Sequence, residues 1–170
     1  SGNTAIGSQA LTNNTSGIRN LSVGEVSMLL NTTGSLNTAV GRSAMVLSTT
    51  GSNNTAVGYE ALRNNTTGSL NTAVGQDALR SNDSANANTA VGFESLELNT
   101  GSNNTAVGYE ALGNNTTGFD NTSLGIQAGL TNTTGHNNTF LGHNAQGASA
   151  TANDTITLGD SAITTLRCQV

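Results

Sequence analysis

The chain has 170 residues, of which only 9% are charged and 3% aromatic, with a formal charge of −5, no lysine and a single cysteine. Five arginines leave no basic stripe to release counterions, which excludes nucleic acid as an expected partner. No apolar run reaches the roughly 18 residues of a membrane helix, so no membrane span is expected, and Cys168 has neither an intrachain disulfide partner nor metal-binding neighbours.

In chain order, the dominant signal is a repeat. A pentad reading Asn-Thr-Ala-Val-Gly or a close variant begins at Asn3, Asn20, Asn37, Asn54, Asn71, Asn88, Asn104, Asn121 and Asn138, and Thr155-Ile156-Thr157-Leu158-Gly159 is a degenerate tenth copy. Every step is 17 residues except the 16 between Asn88 and Asn104. Self-similarity at one period is the signature of a solenoid, whose rungs each bury their apolar face on their neighbours. The fold class is therefore all-β: a parallel β-roll of about ten rungs, with two short strands expected in each. Residues 1–162 form this roll and residues 163–170 a connector.

Within the rung that begins at Asn54, Thr55-Ala56-Val57 is predicted as a strand ended by Gly58, where φ > 0 or a close backbone approach demands glycine. Glu60-Ala61-Leu62 is predicted as the second strand. Asn64-Asn65-Thr66-Thr67-Gly68 carries turn residues, with left-handed geometry expected at Asn and Gly68. The Val57 column, always Val, Ile or Leu, is expected as a continuous core line, beside a small-residue column at Ala61 and a Leu/Met column at Leu62. Two Asn columns, one through Asn54 and one through Asn65, are expected to form hydrogen-bonded amide ladders. Coils spaced at about 4.8 Å would make a rod of roughly 45 Å. A coil this thin buries too little to offset its ordering entropy alone, so association is expected, with three-fold closure.

The pentad, with Ala-Leu three residues on and a glycine-bearing turn, resembles the head repeat of YadA-like trimeric autotransporter adhesins. That resemblance covers Asn3 to about Ala162 and implies a left-handed, homotrimeric β-roll; the period of 17 exceeds that family's, which is about 14. The segment from Ile156 to Val170, ending Leu166-Arg167-Cys168-Gln169-Val170, resembles the stretch ahead of the intramolecular chaperone of phage tail fibres and tailspikes. Together the resemblances imply an extracellular setting, on a virion tail fibre or a bacterial cell surface. The start within a repeat, at Ser1-Gly2, reads as a fragment of a longer protein.

Recognition residues are sought where otherwise uniform repeats disagree. The position after each pentad glycine varies most and carries Tyr59, Phe93 and Tyr109, which form either an exposed receptor or glycan-binding strip or part of an inter-subunit seam. The next column holds Glu60, Asp77, Glu94 and Glu110, expected to pair with Arg63 and Arg80 rather than bind Ca²⁺, since the calcium β-roll motif is missing. His136 and His143 lie in different columns and are read as surface or seam residues. The Asn-x-Thr sequons are read as turn residues rather than glycan acceptors. Val26, Met28, Leu29, Leu30, Met45, Val46 and Leu47 enrich the second and third rungs as either a docking patch or a thicker core. A local irregularity is expected where Ala85 replaces the turn glycine and the following rung loses one residue.

No cofactor, metal or catalytic pair is expected, because a uniform rod offers no cleft for paired carboxylates. The leading functional expectation is a structural and adhesive fibre module, a stiff homotrimeric spacer with a host-surface glycan or protein as receptor. The alternative is an ice-binding β-solenoid using the Thr4, Thr38, Thr55, Thr72, Thr89, Thr105, Thr122 and Thr139 column.

Overall fold

The computed structural model of the chain describes residues 2–162. Ten three-residue strands follow one another: β1 (Thr4–Ile6), β2 (Leu21–Val23), β3 (Thr38–Val40), β4 (Thr55–Val57), β5 (Thr72–Val74), β6 (Thr89–Val91), β7 (Thr105–Val107), β8 (Thr122–Leu124), β9 (Thr139–Leu141) and β10 (Ile156–Leu158). They pair in sequence order, all parallel, in a single sheet. Register is in step throughout: Thr55, Ala56 and Val57 oppose Thr72, Ala73 and Val74, each residue meeting its own equivalent. The chain is a parallel β-solenoid with a 17-residue rung, and no helix occurs among the described residues. The expected connector at 163–170, with Cys168, lies outside those residues.

Each rung carries one strand, not the two expected. Glu60-Ala61-Leu62 is not extended, because Glu60 (φ 54°) and Leu62 (φ 51°) are left-handed on either side of Ala61. A strand would send consecutive side chains to opposite faces; here Ala61 and Leu62 are both fully buried on a coiled backbone. The Ala61 N–H donates back to Gly58 O within the rung (3.4 Å), while the Leu62 N–H donates to Ala78 O of the following rung (2.9 Å). Inter-rung bonding thus continues where the strand has ended. Left-handed φ recurs at this position, two residues on, and just before each pentad, as at Leu70 (φ 64°). Such residues cost about 1–2 kcal/mol each, which the inter-rung bonds and the buried Leu62 column offset.

The two glycine columns have different origins. Gly58 combines φ 141° with close approach: a Cβ there would lie 2.4 Å from Gly75 O. The turn does not follow expectation, since Gly68 and Asn65 have no left-handed φ. Gly68 is required by proximity alone, a Cβ falling 2.3 Å from Asn65 Oδ1 and 2.4 Å from Ala85 O.

The core also differs from expectation. From β2 to β9 the buried residue is the middle one, Ala, Ser or Phe, and not the Val-column residue: Ala56 is 0% exposed, whereas Val57 is 37% and Leu124 50%. The rung is too narrow for a branched side chain opposite Leu62, so the strand turns its smallest residue inward. One site proves the volume limit. Phe140 occupies the alanine position in β9 and is buried; the preceding rung has Gly129 in the leucine column, and a Cβ on Gly129 would lie 2.6 Å from Phe140 Cδ2. In the apolar second and third rungs, Met28 and Met45 are core and Leu30 is exposed.

Both Asn columns are buried and bonded as ladders. Asn54 N–H donates to Asn37 Oδ1 (2.9 Å), and Asn54 Nδ2 crosses the rung to Gly68 O (2.8 Å). In the other column, Asn82 Nδ2 donates to Asn65 Oδ1 (2.8 Å) and to Ala85 O (3.0 Å). This second ladder breaks where serine replaces asparagine. Asn31 Oδ1, Ser48 Oγ and Asn132 Oδ1 are buried without a partner in the chain; the column positions that follow Asn31 and Asn132 are Ser48 and Ser149, which have no amide to donate. An orphaned buried acceptor costs about 1–3 kcal/mol. Ser48→Asn restores the ladder between Asn31 and Asn65 and is expected to raise Tm by a few degrees in a thermal melt; an unchanged or lower Tm would refute this account of the orphan atoms.

Candidate functional site

Because rungs stack in register, each outward position forms a column along the rod. The residue after the pentad glycine faces solvent, as the variability there implied: Tyr59, Phe93 and Tyr109 are all exposed. Phe93 and Tyr109, on consecutive rungs, stack with centroids 5.4 Å apart and planes within 8°. Gln76 separates Tyr59 from that pair, and the Tyr59 ring instead lies under the Arg42 guanidinium at 5.9 Å. The structure therefore joins two of the three aromatics. Their stacking occupies the facing ring surfaces, so they do not present a broad open platform of the kind a sugar ring stacks on. Hydrogen bonding to the adjacent Glu60 and Glu110 carboxylates, reinforced by their charge, raises the Tyr59 and Tyr109 phenol pKa values above the ordinary value.

The acidic column pairs with arginine where arginine is present. Arg80 reaches Glu97 (3.1 Å), Glu60 (3.3 Å) and Asp77 (3.6 Å), and Arg63 reaches Glu60 (3.6 Å). The compensation stops at Gly113, which succeeds Arg63, Arg80 and Glu97 in its column. There Glu94, Glu97 and Glu110 line a hollow of about 200 Å³ with Gly113, Asn114 and Leu130. Glu110 accepts a hydrogen bond from Gln127 Nε2 (2.7 Å). Partial burial, then the charges of Glu97, Glu110 and Asp77, push the Glu94 carboxyl upward. Among the described residues no group of three His, Cys, Asp or Glu side chains is placed to hold a metal ion. His136 stacks on Phe119 at 4.7 Å, within 5° of parallel.

The Val57 column, expected from the sequence to be a core line, lies on the outside. The Thr55 and Val57 columns stand side by side on the outer face of the sheet, uncharged in all ten strands. The turn threonines are different: Thr49 Oγ1 is held by Thr66 O (2.9 Å) and Thr116 Oγ1 by Thr133 O (2.9 Å). One signal for the correct facing was present. Ala61 and Leu62 are adjacent columns that are both small or apolar, which breaks strand alternation and marks that segment as the core wall. Among the described residues no helix is long and apolar enough to cross a membrane. In comparison with known proteins, no family model, curated protein or solved structure matches the chain.

Glu94 titration gives a signed test. Its folded pKa is raised, so the stability linked to its protonated form is present at acid pH and is lost as pH rises through that value. Glu94→Gln is expected to raise Tm at pH 7 and to leave it unchanged near pH 4; equal shifts at both pH values would assign the effect to packing.

Proposed function

We propose that this chain is a structural and adhesive module of a homotrimeric fibre, a stiff spacer in an extracellular assembly such as a phage tail fibre or a bacterial surface adhesin. The observation that carries this reading is the imbalance between inside and outside. One rung buries Ala56, Ala61 and Leu62 while leaving Val57, Tyr59 and Leu70 exposed. Large apolar side chains that recur outside a thin coil favour association, and closed point symmetry makes association finite. Inter-rung hydrogen bonding through strand, coil and turn suits a rod that transmits force. The resemblance to trimeric adhesin heads and to tail-fibre segments supports the same reading, and Tyr59, Phe93 and Tyr109 are its candidate receptor contacts. Sedimentation equilibrium is expected to give three times the mass of the 17.1 kDa chain; a monomer at micromolar concentration would refute the fibre reading.

A second reading, ice binding, is supported by the same outer face. The Thr55 and Val57 columns, in register and uncharged, together form a regular array rather than a lone threonine column. Thermal hysteresis by a monomer, lost in Thr72→Lys, would favour it; its absence at micromolar protein removes it.

A further inference from the structure

We infer that Tyr59 and Phe93 are the two walls of a slot for a quaternary ammonium group, entered over Gln76. The inference rests on the adhesive reading above and names the chemistry that its aromatic column recognises.

The column after the pentad glycine runs Arg42, Tyr59, Gln76, Phe93 and Tyr109, one residue per rung. The Arg42 guanidinium lies over one face of Tyr59, 5.9 Å from the ring centroid, and pairs with Glu25 at 3.1 Å. Arg42 belongs to the preceding rung, so the Tyr59 ring turns its faces along the rod. Phe93 does the same, because the ring stacked on it, within 8° of parallel, comes from the following rung. One face of each ring is thus taken from outside the pair. The two free faces look toward each other across the rung of Gln76. That residue is exposed, and its amide is turned onto Asp77 Oδ2 (3.1 Å).

Spacing selects the guest. Two rungs at about 4.8 Å put the ring planes about 9.6 Å apart, so a group centred between them lies about 4.8 Å from each. Carbon atoms come to rest about 3.5 to 4.0 Å apart. A flat guest, such as a guanidinium or an aromatic ring, therefore touches one wall only. A nitrogen that bears methyl groups at about 1.46 Å carries its carbons to about 3.5 Å from both walls. Its centre also falls within the roughly 6 Å over which a ring face attracts a cation.

Charge favours the same guest. The next column brings Glu60, Asp77 and Glu94 alongside the slot, and with Glu97 these carboxylates outnumber the nearby cations Arg63 and Arg80. A quaternary ammonium has no N–H to donate, so ring faces and surrounding negative charge satisfy it without a dedicated acceptor.

The test titrates choline chloride into the full chain at constant ionic strength and follows the choline methyl proton resonance. A saturable upfield shift is expected, since both ring faces act on the methyl groups. Dimethylbutanol, the uncharged carbon isostere of choline, is expected to bind about fivefold more weakly or worse; this comparison uses the wild-type chain and needs no variant to fold. Tyr59→Leu and Phe93→Leu are each expected to weaken choline binding about two- to fivefold. Gln76→Tyr, whose ring fills the slot, is expected to abolish binding, and Phe119→Leu, at an aromatic stacked on His136 instead, to leave it unchanged. Phosphatidylcholine vesicles separate the sources: co-sedimentation with them assigns a lipid headgroup, and choline binding without it assigns a soluble or glycan-borne ammonium. Absence of a saturable shift, equal binding of the isostere, or undiminished binding by a folded Gln76→Tyr variant overturns the slot and leaves the fibre reading standing. Choline binding by a monomeric wild type supports the slot and overturns the fibre.

Discussion

Every rung must tolerate a copy of itself directly above and below, and the rest of the structure follows from that demand. In-register parallel stacking places Gly58 over Gly75 so closely that an added methyl would sit 2.4 Å from a carbonyl oxygen. Only glycine survives there. Self-stacking also explains the asparagines: an amide carries both donor and acceptor, so it can bond to its own equivalent indefinitely. Charge obeys the same rule with opposite sign. A column of carboxylates repels itself, and Arg63 and Arg80 offset it from another column; at Glu94 partial burial, and then the charges of Glu97, Glu110 and Asp77, push the carboxyl upward.

The narrowness of the rung sets the core. Only one medium side chain fits per rung, supplied by the Leu62 column, and its opposite wall must be alanine or serine. Phe140 and Gly129 demonstrate conservation of volume across adjacent rungs, a large residue on one wall filling space vacated on the other. The consequence reaches the surface, because side chains too large for the interior are displaced there. Val57 and its equivalents become an outer face, and the molecule acquires an uncharged strip running the length of its sheet.

Much of this was legible without coordinates. The period, the strand at Thr55–Val57, the two amide columns, the pairing of carboxylates with Arg63 and Arg80, and the outward position of Tyr59, Phe93 and Tyr109 all follow from reading the repeats in columns. The second strand and the facing of Val57 did not. Hydrophobicity identifies Val as the stronger core residue and Ala as indifferent, so the pattern at Ala56-Val57 points the wrong way. Left-handed φ at Glu60 and Leu62 has no compositional mark, since neither residue type favours it. Stacking of Phe93 on Tyr109 was implied by their columns, but the covering of Tyr59 by Arg42 needed the geometry.

By itself the sequence determined the architecture, because a period of 17 with glycine, asparagine and small apolar residues in constant columns is compatible only with rungs stacked in register. The tertiary structure decided which way each strand faces. That choice depends on the width of the interior, a property of the closed rung that no single repeat encodes. Alanine was turned inward by lack of space and valine outward by the same limit, and that exchange set the character of the outer face.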